Sequence, residues 1–453
     1  MLQSKVIRVS EMAFFRKAFW TILCLAALIG LWRIFIGRSN ENASPKLRFV
    51  SLAWQEQALA ANHDIVAAWN AAHPEMPVEY VQGTWSSIHD YLITAFETGE
   101  VPDVFHYESS IIVDFAIRGY LVDLAPMIPQ EMKDDVLEVA WASVTRSNGQ
   151  ITGVPFLMES LVVLYNKNLL AAAGMAPPTL AQPWTWEQAA AAAIKLTRDS
   201  DGDGIVDQWG AAFGLRNSAN IAMNLSIGFG GSFFHRDSGA YAVQVGAAEK
   251  NLLRLIHHML YEDKSAAPSS IGQSGTGMIP GFCQGKYAML IGIGAWARQQ
   301  LVENAPAGLQ WGVLPPLKAE TQNSGISTQT LSIPRKSRRQ AEAMRFIEFM
   351  LSTQNMARLA QSDWMIPTRK SCLRMPQFQT VHDGWDVVTG AAKYLTTGPW
   401  LGAPGYVEWK NRVANPVLQE FFADRLTLAA AAQRIERESN LVLSRYQRRD
   451  EAW

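Results

Sequence analysis

The sequence predicts an α/β fold with a mainly parallel sheet covered by helices on both faces. Three observations lead there. From residue 46 onward, short β-branched apolar runs alternate with helix-length amphipathic stretches. The chain has 453 residues, enough for two or three domains. Residues 148–167 read as a passage of the backbone from one body to another.

Residues 1–17 carry Lys5, Arg8, Arg16 and Lys17 against one acid, Glu11. Residues 18–36 follow as an apolar run interrupted by Arg33. A charged segment followed by an apolar one is the pattern of an export signal. The run is long enough to span a bilayer if Arg33 snorkels to the interface. No small-x-small cleavage site follows it, and Leu23 rather than a small residue precedes Cys24. An uncleaved membrane anchor is therefore expected over a cleaved signal, and the rest of the chain is exported in both cases. Residues 37–45 form a polar linker.

The folded part begins at Lys46. Residues 47–54 and 78–81 read as strands, 62–72 and 86–98 as helices, and Gly99 closes the second helix. A third strand starts at Pro102-Asp103-Val104-Phe105, with a helix over 110–118. In such sheets ligands bind beyond the carboxyl ends of the strands. Trp54, Gln55, His106, Tyr107 and Glu108 all fall there.

Asn148-Gly149 makes a tight turn, Gly153 and Pro155 break the chain again, and 161–165 reads as a buried strand. Glu159 stands just before that strand. A carboxylate there needs a partner or a ligand, because burying it alone is costly. This places Glu159 at the lip of a cleft between two lobes. The same residues also suit a surface hairpin with an exposed Glu159.

Thr185 and Gln188 have capping-box spacing at the start of a helix over 185–196. Asp199, Asp201, Asp203 and Asp207 then match the first nine positions of a calcium loop, with Gly204 at the sharp turn. Position twelve is Gly210 rather than a bidentate Glu, so an EF-hand proper is not expected. Calcium and a polar turn capped by its own Asp side chains both remain open. No other cofactor is called for.

Residues 227–234 read as a Gly- and Phe-rich loop near the cleft, 247–261 as a helix and 288–293 as a strand. Gly294-Ala295-Trp296 would let a ligand approach the backbone and offer it a ring face. Adjacent His257-His258 cannot share a helical face as a metal pair. A strand over 311–317, a crossing over 327–334, an amphipathic helix over 340–351, a loop over 364–368 and two helices over 414–422 and 427–446 complete the chain.

Bulk composition narrows the function. The chain is 48% hydrophobic and 18% charged, which fits large cores. Lys+Arg number 40 against Asp+Glu 41, so no basic excess argues for nucleic acid. The 16 Trp suggest a surface that presents ring faces to ligands, although a share of them will fill cores. Cys283 and Cys372 can pair at most once, and no Cys/His spacing suggests zinc.

The laid-out residues resemble the family 1 extracellular solute-binding proteins of ABC importers, the group that includes maltose- and multiple-sugar-binding proteins. The resemblance is carried by Gly149-x-x-x-Gly153-Val-Pro, Leu164-Tyr-Asn-Lys-x-Leu169, Trp184-Thr-Trp-Glu and Asp201-Gly-Asp-Gly-x-Val-Asp-Gln-Trp-Gly210. Gly285-Lys-x-Ala-Met289, Gly294-Ala-Trp296 and Phe346-Ile-x-Phe-Met350 continue the series, which covers residues 46–446 in order. It implies a two-lobed periplasmic-binding-protein type II fold whose lobes close over a ligand about hinge strands. The implied N-lobe is 46–155 plus 290–328, and the implied C-lobe is 156–289 plus 329–446. Residues 1–45 stand before them as signal or anchor plus linker.

By that resemblance Glu159 matches the crossing-segment acid that contacts sugar hydroxyls, and Trp296 the aromatic that stacks on a sugar ring. Tyr107 falls near a further aromatic contact. Trp54, Trp85, Trp364, Trp400 and Tyr406 are cleft candidates by position. A sugar offers apolar C–H faces to aromatic rings and a rim of hydroxyls to acceptors such as Glu108, Glu159 and Gln55. A pocket that bonds hydroxyls rejects analogues lacking them. The expected protein is a non-enzymatic carrier. It takes a carbohydrate to ABC permease subunits and is held at the periplasmic or cell-surface side of a membrane by residues 18–36. Two alternatives are a tethered sugar-sensing ectodomain and a glycoside hydrolase using Glu108 and Glu159 as its carboxylate pair. Sugar turnover on prolonged incubation would favour the hydrolase. Recovery of a histidine kinase rather than a permease would favour the sensor. No nucleophile elbow or P-loop supports catalysis.

Overall fold

In the computed structural model, which describes residues 46–237 and 240–450, ten strands make two main sheets. In chain order they are β1 (Leu47–Ser51), β2 (Val78–Gln82), β3 (Val104–Glu108), β4 (Val154–Glu159), β5 (Leu161–Asn166), β6 (Trp209–Phe213), β7 (Tyr287–Gly294), β8 (Trp311–Leu314), β9 (Ser327–Ser332) and β10 (Ile366–Pro367). The first sheet has the order β10-β4-β9-β3-β1-β2 and the second β8-β5-β7-β6. The expected anchor and linker at 1–45 lie outside the described residues. Among the described residues no helix is long and apolar enough to cross a membrane.

The opening βαβ units form as the sequence pattern predicts. β1 pairs in parallel with both β2 and β3. The helix between β1 and β2, α1 (Glu56–Ala72), buries Ala58, Ala61, Ile65 and Trp69, a spacing that keeps one face on the sheet. Trp69 packs edge-on against Phe346 and donates from Nε1 to the Met76 carbonyl at 2.9 Å. After β2 comes α2 (Ile88–Thr98), which ends on Gly99 with φ 86°. The helix after β3, α3 (Ser109–Ile117), starts directly at the strand end, so Glu108 sits where a cleft residue belongs.

The predicted passage between bodies is a single residue wide. The chain leaves the first sheet at Glu159, turns through Ser160 and enters the second at Leu161. It returns between β8 and β9, and crosses a third time after β10. The second and third passages run side by side, because Ser324–Gly325 pairs in parallel with Leu395–Thr396.

Sheet membership departs from the expected division in two places. β7 and β8, within 290–328 or overlapping it, join β5 and β6 rather than the first sheet. Residues 329–367, expected in the C-lobe, supply the first sheet with most of β9 and with β10. The reason is long-range pairing: β9 lies antiparallel between β3 and β4, with Gln329 opposite both Glu108 and Leu157. The stretch expected as a mere crossing at 327–334 is therefore a central strand. Phe233 and Phe234, expected in a loop near the cleft, are buried in the core beneath the second sheet.

Packing explains two further details. The capping box forms in both directions, Thr185 Oγ1 accepting from Gln188 N and Gln188 Oε1 from Thr185 N. Its helix, α4 (Trp186–Leu196), lies so close to β6 that a Cβ at Gly210 would overlap the Ala193 carbonyl oxygen at 1.9 Å. Helix contact therefore dictates glycine at the position where a calcium loop would carry Glu. Cys283 and Cys372 are both free thiols.

Candidate functional site: the cleft between the two sheets

The cleft is built from strand ends. Trp54 and Gln55 follow β1, Trp85 follows β2, Tyr107 and Glu108 end β3, Glu159 ends β4, and Trp296 follows β7. All of these but Trp296 belong to the first sheet, and Trp296 belongs to the second. The structure joins them: the Trp54 and Trp296 rings meet edge to face at 5.7 Å, and Trp296 Nε1 donates to Glu159 Oε1 at 3.1 Å.

Backbone geometry makes that hydrogen bond feasible. β7 carries a bulge against β5 at Gly292, whose φ is 75°. A bulge bends its strand and redirects the side chains beyond it. At Gly294 a Cβ would sit 2.1 Å from Trp296 Nε1 and 2.7 Å from Glu159 Oε1. The absence of a side chain at Gly294 admits the indole of Trp296 to Glu159.

Electrostatics concentrate on the same spot. Burial pushes the Glu159 pKa up to about 7, and the Glu108 charge adds to the rise; the Trp296 hydrogen bond and the Lys410 charge oppose it. Glu159 and Glu108 flank β9, opposite Ser327 and Gln329 respectively, so both carboxylates project from one sheet face. Glu108 Oε1 accepts from Ser110 Oγ at 3.0 Å. Burial, with the Glu159 charge second, also pushes Asp363 up to about 7.

Lys410 completes the arrangement from the other side. It comes one turn after Tyr406, its ammonium 5.6 Å from the Tyr406 ring. The Tyr406 charge foremost, then those of Glu108 and Glu159, hold its pKa above the ordinary lysine range against desolvation. Lys410 opens a π-helical turn, Lys410–Ala414, where Pro416 has no N–H for the Arg412 carbonyl and its ring crowds that oxygen. Such π-turns recur at functional sites. Sequence reading missed Lys410 and Asp363. The i, i+4 pair Tyr406/Lys410 just ahead of Pro416 is the signal that could have pointed to the first.

The remaining candidates divide. Trp54 and Trp85 are 49% and 39% exposed, open ring faces at the wall. Gln55 is only 5% exposed, and neither Oε1 nor Nε2 has a protein partner. Tyr107 is buried with its ring 6.0 Å from Trp85, and burial pushes its phenol above the ordinary range. Trp364 is buried: it stacks on Trp385 at 5.6 Å, beside the Arg298 guanidinium. Trp400 and Tyr406 are buried with the core of the second sheet. Trp364 and Trp400 are thus placed as core rings, since their local sequence carries no mark of the neighbours that cover them.

At the acidic loop the Asp199, Asp201 and Asp207 carboxylates approach within 4.8 Å of one another and are exposed. Asp199 also accepts from the backbone N–H groups of Gly202 and Gly204, as a self-capped turn does. Asp203 instead accepts from Ile205 N.

Comparison with known proteins adds to this geometry. Residues 53–357 match the family model described as bacterial extracellular solute-binding protein. An uncharacterized lipoprotein in the oleD 5′ region of Streptomyces antibioticus is 40% identical over 386 residues, 84% of each chain. Among solved structures, the sugar-binding protein MalE from Xanthomonas citri superposes with a TM-score of 0.76 at 18% identity, covering 90% of this chain and 99% of its own. The GacH receptor of Streptomyces glaucescens, solved unliganded and with acarbose, gives 0.72 at 22% identity, covering 88% and 99%. These likenesses show a two-lobed α/β solute-binding fold.

Proposed function

Since the chain belongs to the bacterial extracellular solute-binding proteins, we propose that it captures a carbohydrate between its two sheets and delivers it to the permease of an ABC importer. The observation that carries this reading is the Trp54–Trp296–Glu159 constellation. It links the two sheets through ring faces and one carboxylate, the groups a sugar's C–H faces and hydroxyls require. The unpartnered Gln55 amide supports it, because a buried amide without a partner is costly unless a guest supplies one. MalE and the acarbose-binding GacH receptor have this fold, which favours a saccharide over other solutes.

Binding without turnover is the proposed mode. Aromatic faces hold the ring, Glu108 and Glu159 accept from hydroxyls, and closure excludes water, which strengthens each contact. The N-lobe is proposed as the body around the first sheet and the C-lobe as the body around the second. The lipoprotein relative supports attachment to the outer face of a membrane through the N-terminal residues.

A thermal-shift screen of residues 46–453 against neutral mono- and oligosaccharides and their amino-sugar counterparts tests the reading. A ligand that binds only the folded state raises its apparent stability by about 2.7 kcal/mol at one hundred times Kd. At least one sugar is expected to raise Tm; a flat response across the panel sinks the proposal.

Calcium at Asp199, Asp201 and Asp207 is proposed as a structural ion, with Asp203 a further oxygen donor. The crowding of three carboxylates is the supporting feature, since like charges this close repel unless a cation joins them. EDTA is then expected to lower Tm by a few degrees, with calcium restoring it. An unchanged Tm would favour the self-capped turn.

A further inference from the structure

We infer that the guest of this cleft is an amino sugar, a saccharide carrying a protonated amine beside its hydroxyls. The inference rests on the carbohydrate reading above and narrows it. Around Glu159 acids outnumber bases among the described residues: Glu108 projects from the same sheet face, Asp363 ends the helix over 353–363, and Lys410 alone opposes them. With a neutral guest Glu159 and Asp363 stay largely protonated near pH 6.5; a cationic guest draws them into the charged form, and in a closed cleft that pairing is stronger than in water.

The rings around the carboxylates favour a cation in the same way. An ammonium held over an indole or phenol face is attracted by the ring quadrupole, most strongly by Trp. Trp54 and Trp85 present open faces, and the Trp296 ring is fixed to Glu159 itself. Two polar side chains also await a guest. Gln55, next to Trp54, is 5% exposed with both amide atoms unpartnered. Ser327 lies opposite Glu159 in register, hence on the same sheet face, and its buried Oγ has no protein partner. The carboxylates would hold the amine, while Gln55 and Ser327 take hydroxyls.

The test uses matched skeletons that differ at one carbon. Glucose, galactose and β-1,4 glucose oligomers of two to four units are compared with their 2-amino-2-deoxy counterparts and with the N-acetylated forms. Titration calorimetry at pH 6.5 is expected to show the amines binding at least about tenfold tighter than the hydroxyl or acetamido forms, a difference of about 1.4 kcal/mol. Binding should also release protons, because an ammonium favours ionised Glu159 and Asp363; enthalpies in buffers of different ionisation heat report this.

Two variants should move the preference in opposite directions, which loss of fold cannot do. Glu159→Gln is expected to shrink the amine-to-hydroxyl ratio several-fold, and Lys410→Met to enlarge it. Equal or tighter binding of the neutral forms overturns the inference and leaves the carbohydrate reading standing. No response to any sugar of the panel overturns both.

Discussion

Arg298→Ala is expected to lower the unfolding free energy by about 3–5 kcal/mol, among the largest effects of any single change in this chain. The Arg298 side chain is fully buried. Its guanidinium donates to three carbonyls, Ala295 at 2.9 Å, Asp383 at 3.1 Å and Trp364 at 3.0 Å. It also lies 4.2 Å from the centroid of the Trp385 ring and 5.3 Å from that of Trp364. Trp364 and Asp383 both adopt positive φ without being glycine, a conformation their surroundings must enforce. Alanine would leave buried acceptors unpaired and a void beside two stacked indoles. Urea titration with an unchanged m-value is the measurement. A loss under about 1 kcal/mol would show that the three carbonyls find other donors. Lysine at this position keeps the charge but not the planar fork, so Arg298→Lys should recover only part of the loss.

Trp296→Ala is expected to weaken sugar binding by about 1–3 kcal/mol, roughly a 5- to 160-fold rise in Kd. The change removes a ring face, the packing partner of Trp54 and the hydrogen-bond donor to Glu159. Trp296→Phe separates these roles in large part, since it keeps a six-membered ring face and loses the pyrrole ring with its N–H. If stacking dominates, Phe should retain most of the affinity; if orienting Glu159 dominates, Phe should resemble Ala. Calorimetry with the sugar found by thermal shift gives the answer, and a Kd unchanged in both variants would remove Trp296 from the site.

Much of the site was legible in order along the chain because it sits at strand ends. The βαβ pattern fixed where β1 and β3 stop, and so placed Trp54, Gln55 and Glu108. The turn and apolar run around Glu159 revealed a passage between bodies, which the structure locates at Ser160. Gly294 and Trp296 were recognisable as a unit, and the glycine leaves room for the Trp296 indole beside Glu159. Lys410 was not legible: nothing near it in sequence says that a lysine some 250 residues after Glu159 faces the same carboxylate.

Local periodicity, capping chemistry and turn residues therefore determined the α/β class, the individual elements and the strand-end aromatics, because these depend on neighbours a few residues away; they did not determine the pairing, which was expected to be mainly parallel and is antiparallel at five of the eight strand pairings of the two main sheets. Tertiary structure alone decided that β9 enters the first sheet, that Trp364 and Trp400 are core rings, and that Arg298 pins three separate turns. Each of those outcomes depends on pairing or packing between segments distant along the chain, which leaves no periodic trace in either one.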